Sequence, residues 1–156
     1  MPLGMIEGFY GRTYSWSQRR ELVTFLASQG YDHYFYAPKA DSSLRSDWTK
    51  KHDPRQVRAL RAFGEHCKRR GVTWGIGLSP LTADSDREHD DKVSNDLLGR
   101  VEDLMTLSID HLFILFDDMH GHDSLAERQC AMVDLVRRRF PVRLIVCPTY
   151  YSTSHV

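Results

Sequence analysis

His111-Leu112-Phe113-Ile114-Leu115-Phe116-Asp117-Asp118-Met119-His120-Gly121 decides how this chain is read. Phe113 to Phe116 is continuously apolar, the pattern of a strand buried on both faces in a parallel sheet. A half-exposed hairpin strand would alternate instead. The run then stops at two adjacent carboxylates and a glycine. In parallel α/β folds, ligands bind at the carboxyl ends of the strands, so Asp117 and Asp118 are the first candidates for chemistry. A single Asp there is commonly a helix cap or a turn residue. A pair is harder to explain structurally, because like charges side by side repel.

Working outward, the same unit recurs. Met5 to Tyr10 reads as a first strand carrying Gly8, and a glycine in a strand marks either a bend or a close ligand approach. Ser15 to Gln29 reads as a helix, with a Ser15/Gln18 capping box and a Leu22, Phe25, Leu26, Gln29 stripe. Tyr31 to Ala37 reads as a second strand, ended by Pro38, with Lys39 and Asp41 at its carboxyl end. Asp53-Pro54 starts a helix whose inner face is Val57, Leu60, Phe63 and Cys67. Val72 to Leu78 is a third strand. Val93, Leu97, Leu98, Val101, Leu104 and Met105 mark a third helix. After the central strand, Ser124 and Glu127 suggest a second capping box, and Leu125, Cys130, Val133, Val136 and Phe140 an inner face. Val142 to Cys147 is a fifth strand, closed by Pro148. The basic runs at residues 68–70 and 137–139 end helices, where positive charge complements the dipole.

Strand and helix alternate throughout, which predicts an α/β fold of parallel βα units. A doubly wound sheet and a (β/α)8 TIM-type barrel both satisfy that order. The barrel is favoured because no GxGxxG follows the first strand. Polar candidates also recur at successive strand ends, namely Lys39, Asp117 and Tyr151. A whole barrel needs roughly 200–250 residues. The 156 residues here supply about the first five strands.

Composition narrows the function classes. Lys plus Arg and Asp plus Glu are 21 each, so net charge is zero and neither nucleic acid nor a membrane surface is an expected partner. Cys67, Cys130 and Cys147 are scattered and odd in number, unlike a disulfide scaffold. No signal peptide or transmembrane stretch is visible, which predicts a cytoplasmic protein.

Four motifs, in order, are similar to one family. Ile6-Glu7-Gly8-Phe9-Tyr10-Gly11, Tyr36-Ala37-Pro38-Lys39, Phe116-Asp117-Asp118 and Cys147-Pro148-Thr149 resemble the catalytic domain of protein O-GlcNAcases and hyaluronidase-like β-N-acetylglucosaminidases, glycoside hydrolase family 84. The resemblance runs over essentially the whole chain. It implies residues 1–156 as a (β/α)8 catalytic barrel domain truncated at its C-terminal side. It implies a retaining β-N-acetylglucosaminidase that uses the substrate's 2-acetamido group through an oxazoline, with no cofactor or metal. By position, Gly8 looks like the glycine whose backbone meets sugar hydroxyls, and Lys39 like the lysine that holds one. Asp117 looks like the carboxylate that orients the acetamido group, and Asp118 like the general acid/base. Tyr151 looks like the pocket tyrosine. The implied partner is a glycan or glycoprotein bearing N-acetylglucosamine.

Two departures accompany the match. Tyr150 stands where the family commonly has an acidic residue. The family's sugar-gripping Asn and Asp residues come from strands beyond the fifth. An incomplete barrel would expose edge strands, so a split or inactive half-barrel that binds glycan or self-associates is the second reading. A third comes from Asp117, Asp118, His120, His122 and Asp123, whose donor types suit a metal-dependent hydrolase.

Overall fold

The computed structural model describes residues 2–81, 90–119 and 124–150. The elements are β1 (Gly4–Glu7), α1 (Trp16–Ser28), β2 (His33–Tyr36), a 3-10 turn (Ser42–Leu44), α2 (Pro54–Arg69), β3 (Thr73–Leu78), α3 (Asp90–Met105), β4 (His111–Leu115), α4 (Leu125–Arg139) and β5 (Arg143–Cys147). Every strand pairing is parallel, and the sheet order is β1-β2-β3-β4-β5. That order separates the two architectures left open above. A doubly wound sheet reverses direction at a switch point. Here each new strand adds to the same edge, and right-handed crossovers then put all helices on one face. This is the winding of a barrel wall.

The two sheet faces confirm it. Alternate strand residues Tyr34, Tyr36, Trp74, Ile76, Leu112 and Ile114 pack with the helix residues Val23, Leu60, Phe63, Leu97, Val101 and Val136 in one core. Burying a side chain the size of Ile114 contributes about 1.5–3 kcal/mol. The opposite face carries a second cluster, Phe35, Ala37, Phe113 and Leu115, with Ile145 and Cys147 against it. Among the described residues, no helix residue belongs to it. β4 is therefore buried on both faces, as its continuous apolar run predicts. β3 contributes Gly75 and Gly77 to the second face. A Cβ on Gly77 would lie 2.5 Å from the Ala37 Cβ, and one on Gly75 would lie 2.8 Å from the Phe35 ring. The neighbours' side chains fill the space that larger residues on β3 would need.

Local signals behave as their chemistry dictates in two helices. Ser15 and Gln18 form the reciprocal capping box of α1. Asp53 accepts from the Arg55 and Gln56 backbone N–H groups at the start of α2. In α4 the expected Ser124 capping hydrogen bond is not made.

Two inner faces differ from the apolar stripes. In α1 the buried residues are Arg19, Val23 and Leu26, while Phe25 is exposed. In α4 they are Leu125, Gln129, Met132 and Val136, while Cys130 is exposed. In each case a buried polar residue sets the rotation of the helix. Arg19 donates through Nε and Nη2 to both oxygens of Glu7, at 2.8 and 2.6 Å, and stacks 4.6 Å from the Trp16 ring. Tyr34 donates to Glu7 as well, at 2.6 Å. β1 stops at Glu7 rather than running to Tyr10, its last side chain held under α1.

Removing one partner of such a buried pair leaves a charge uncompensated. Arg19→Met should lower the free energy of unfolding in urea by about 3–5 kcal/mol. The double variant Arg19→Met/Glu7→Leu should recover part of the loss. A change under about 1 kcal/mol in the single variant would show that the pair does not hold β1 to α1.

Candidate active site

The carboxyl ends of β1, β2 and β4 meet at one place. β4 ends at Leu115, and Phe116 is buried before the chain turns outward at Asp117 and Asp118. Both backbone groups of Phe116 are held by the end of β5. Its N–H donates to the Cys147 carbonyl at 2.8 Å, and its carbonyl accepts from the Thr149 hydroxyl. Thr149 in turn accepts from Gln129 of α4 at 2.7 Å. The Cys147-Pro148-Thr149 motif thus anchors the residue just before the aspartate pair.

Lys39 arrives from the end of β2. Its Nζ lies 3.1 Å from Oδ2 of Asp117 and 2.7 Å from Oδ2 of Asp118. The lysine side chain is 9% exposed, whereas each carboxylate is 32% exposed and open to a ligand. Burial alone would lower the Lys39 pKa, but the two carboxylates outweigh it and raise it. Arg45 is the second cation, donating from Nη1 to the same Oδ2 of Asp118 at 2.6 Å. Its Nη2 donates to the Tyr10 hydroxyl at 2.9 Å. Tyr10 comes from the loop after β1, with its ring beside both cations.

These cations decide the charge state of Asp118. The hydrogen bond from Lys39, opposed by partial burial and reinforced by Arg45, holds its carboxyl below the usual Asp range. Repulsion between the adjacent carboxylates does not raise this one.

Asp41, expected near Lys39 at the strand end, turns away from the carboxylates. It accepts from Tyr36, His52 and Gln56 at 2.9, 3.0 and 3.4 Å. The loop it braces is further pinned by Ser79 N–H to the Leu44 carbonyl, and by Arg100 to the Ser43 carbonyl. The loop after β2 is therefore a fixed platform between Lys39 and Arg45.

Gly8 follows β1, and a Cβ there would meet just Ile6 Cγ2, at 3.4 Å. Its φ is not positive, so the backbone itself does not require glycine. Gly8 leaves the backbone approachable. Tyr151 lies outside the described residues, as do His120, His122 and Asp123 of the metal reading. Sequence reasoning missed Arg45 and Tyr10. Nothing in the spacing places Arg45 near Asp118, 73 residues away. Tyr10 was within the first motif but carried no assigned role.

Comparison with known proteins agrees with this arrangement. Residues 3–156 match the family model described as NAGidase, beta-N-acetylglucosaminidase. Protein O-GlcNAcase of Rattus norvegicus is 25% identical over 162 residues, and that of Mus musculus gives the same value. These alignments cover 95% of this chain but 17% of the relatives' length. Among solved structures, CpGH84B superposes with a TM-score of 0.87 at 21% identity, covering 96% of this chain and 27% of that one. A mutant O-GlcNAc hydrolase of Thermobaculum terrenum superposes at 0.83 with 23% identity, covering 96% and 35%. At these identities the structures show a shared fold, and the five strands correspond to part of a larger barrel domain.

The buried Asp41 makes a pH prediction. Burial would raise its pKa, but the hydrogen bond and charge of His52, with Tyr36 and Gln56, hold it below its usual value. A depressed carboxylate contributes stability that is present above its unfolded pKa of about 3.9 and lost as pH falls through the folded pKa. Unfolding free energy of the wild type should therefore drop as pH falls below about 4. Asp41→Asn should be less stable at pH 7 and show a shallower drop. Parallel pH curves for the two proteins would contradict the assignment.

Proposed function

Because this chain belongs to the β-N-acetylglucosaminidase family, glycoside hydrolase family 84, we propose that residues 1–156 carry the catalytic half of a β-N-acetylglucosaminidase barrel. The reaction is retaining hydrolysis of a terminal β-linked N-acetylglucosamine, assisted by the substrate. One observation carries this reading. Two sequence-adjacent carboxylates sit at the end of β4, and one lysine from β2 reaches both.

Ordinary glycosidases set two carboxylates across the scissile bond, about 5 Å or more apart, and the nearer spacing supplies a nucleophile. Neighbouring residues have Cα atoms about 3.8 Å apart, and here a shared lysine draws both side chains to one side. That suits a reaction in which the nucleophile belongs to the substrate. The acetamido carbonyl oxygen attacks C1 while the C1–oxygen bond to the aglycone breaks. Asp117 accepts from the acetamido N–H and stabilises its growing positive charge. Asp118 gives its proton to the departing oxygen. In the second step the Asp118 carboxylate takes a proton from water, whose oxygen attacks C1 and opens the oxazoline. The products are N-acetylglucosamine and the free aglycone, and Asp118 is again protonated. Lys39 holds a sugar hydroxyl, and the backbone at Gly8 lies against the sugar. Tyr151 completes the pocket on the acetamido side. The substrate class is a glycan or glycoprotein that ends in N-acetylglucosamine.

A second reading rests on the sheet edges. Among the described residues, β1 and β5 each have one neighbouring strand. Ile6 is 48% exposed and Val146 38% exposed. A chain with these edges unpaired would act as a split half-barrel, holding a sugar or a second copy without turnover.

Hydrolysis of two β-N-acetylglucosaminides tests the first reading, one with a fluorogenic phenol and one with an alkyl leaving group. Asp117→Ala should slow both by about 100-fold or more. Asp118→Ala should slow the alkyl substrate by about 10²–10⁴-fold, the usual size of general acid help, and the phenol far less. Gly8→Ala should melt like the wild type yet lose turnover. A folded wild-type chain that hydrolyses neither substrate would sink the enzymatic reading. Sedimentation over a range of concentrations then separates a self-associating half-barrel from a monomer.

A further inference from the structure

Arg45 is absent from the site read in the sequence, yet it makes the shortest contact to Asp118. Its guanidinium spans two loops. Nη1 meets Oδ2 of Asp118 at 2.6 Å, and Nη2 meets the Tyr10 hydroxyl at 2.9 Å. The backbone beneath it is built to hold still. Arg45 follows the 3-10 turn, whose Leu44 is buried. The Leu44 carbonyl accepts from Ser79 at the end of β3, and Arg100 of α3 donates to the Ser43 carbonyl. The Arg45 side chain is 18% exposed. A surface arginine pairing by chance would have none of these supports.

We propose that Arg45 is a positioning residue for Asp118: it ties down Oδ2, leaves Oδ1 as the oxygen that exchanges the catalytic proton, and is itself aimed by Tyr10. The inference rests on the acid/base role proposed for Asp118. The chemistry follows from donor counting. Oδ2 accepts from two cationic donors, Lys39 and Arg45, and both donate only. A proton on that oxygen would face their N–H groups. The acid proton therefore belongs on Oδ1.

The same two contacts set when that proton is present. Among the described residues, the charged and titratable groups facing Asp118 are Lys39 from the end of β2, Arg45 from the following loop, Asp117 beside it, and Tyr10 behind Arg45. Two cations together favour the carboxylate. The first step needs the acid. When a sugar hydroxyl draws Lys39 away from Asp118, one cation remains, and Arg45 alone then governs the protonation of Oδ1. Arg45 thus sets the upper pH limit of the reaction. Removing it raises the Asp118 pKa, keeps the acid protonated to higher pH, and moves the alkaline limb upward.

The test is carboxyl carbon NMR on the 156-residue chain labelled at aspartate, with Asp118 assigned through Asp118→Asn. Arg45→Met should raise the Asp118 titration midpoint by about half a unit or more, as loss of a neighbouring cation does. Arg45→Lys should restore much of the wild-type midpoint, and Tyr10→Phe should shift it in the direction of Arg45→Met. Circular dichroism and melting of each variant identify any that fail to fold, and Tyr10→Phe keeps the test decisive if Arg45→Met is one of them. An unchanged midpoint in folded Arg45→Met and Tyr10→Phe overturns the proposal. Kinetics on the alkyl substrate add a second readout: the alkaline limb of kcat/KM moves to higher pH in Arg45→Met and returns in Arg45→Lys. The NMR midpoint needs no turnover. A shifted midpoint in a chain without activity supports the role of Arg45 and counts against the enzymatic reading. An unmoved midpoint in an active chain does the reverse.

Discussion

The hydrogen bonds from Lys39 to Asp117 and Asp118 join β2 to β4 across the end of β3. Two carboxylates in sequence repel, and Lys39 offsets that repulsion from a strand two places away. The contact requires parallel strands that end at the same level. It also requires β3 to present little bulk between them. Gly77 meets the second requirement, since a Cβ there would run into Ala37 and Leu115. The uniform parallel register meets the first.

Around this contact the fold devotes buried polar groups to holding loops. Glu7 is locked by Arg19 and Tyr34 just before Gly8 and Tyr10. Asp41 is locked by His52 and Tyr36 between Lys39 and Arg45. Phe116 is held by Cys147 and Thr149 just before Asp117. Each network sits one to three residues from a side chain that meets the site. Buried polar groups are costly unless satisfied, and here each has its partners. A site on loops gains the fixity of one built on strands.

The electrostatics of the site favour the carboxylate form of Asp118 over the acid. Lys39 and Arg45 stabilise ionised Asp118. In the proposed reaction, a sugar that competes for Lys39 would change that balance, and binding and protonation would be coupled through one lysine. Among the described residues, no helix is long and apolar enough to cross a membrane.

How much of this was legible in the sequence depends on the range of the interaction. The continuous apolar run at β4, the capping box at Ser15 and Gln18, and Asp53-Pro54 are local signals, and the structure keeps each one. Alternating strands and helices likewise settle the parallel class, because a parallel crossover needs a helix-length connection. The order of strands in the sheet is a tertiary fact, and it alone distinguishes a barrel wall from a doubly wound sheet. The rotations of α1 and α4 also escaped the hydrophobic pattern. Arg19 and Gln129 are polar, and their burial depends on Glu7 and Thr149, partners 12 and 20 residues away. Arg45 shows the limit most plainly. Its meeting with Asp118 spans 73 residues and exists because two loops are folded against one strand end. By itself the sequence determined the elements, the aspartate pair and the lysine at its strand end. Tertiary structure decided which charges meet, because electrostatic contact depends on distance in space and the chain's spacing carries no record of it.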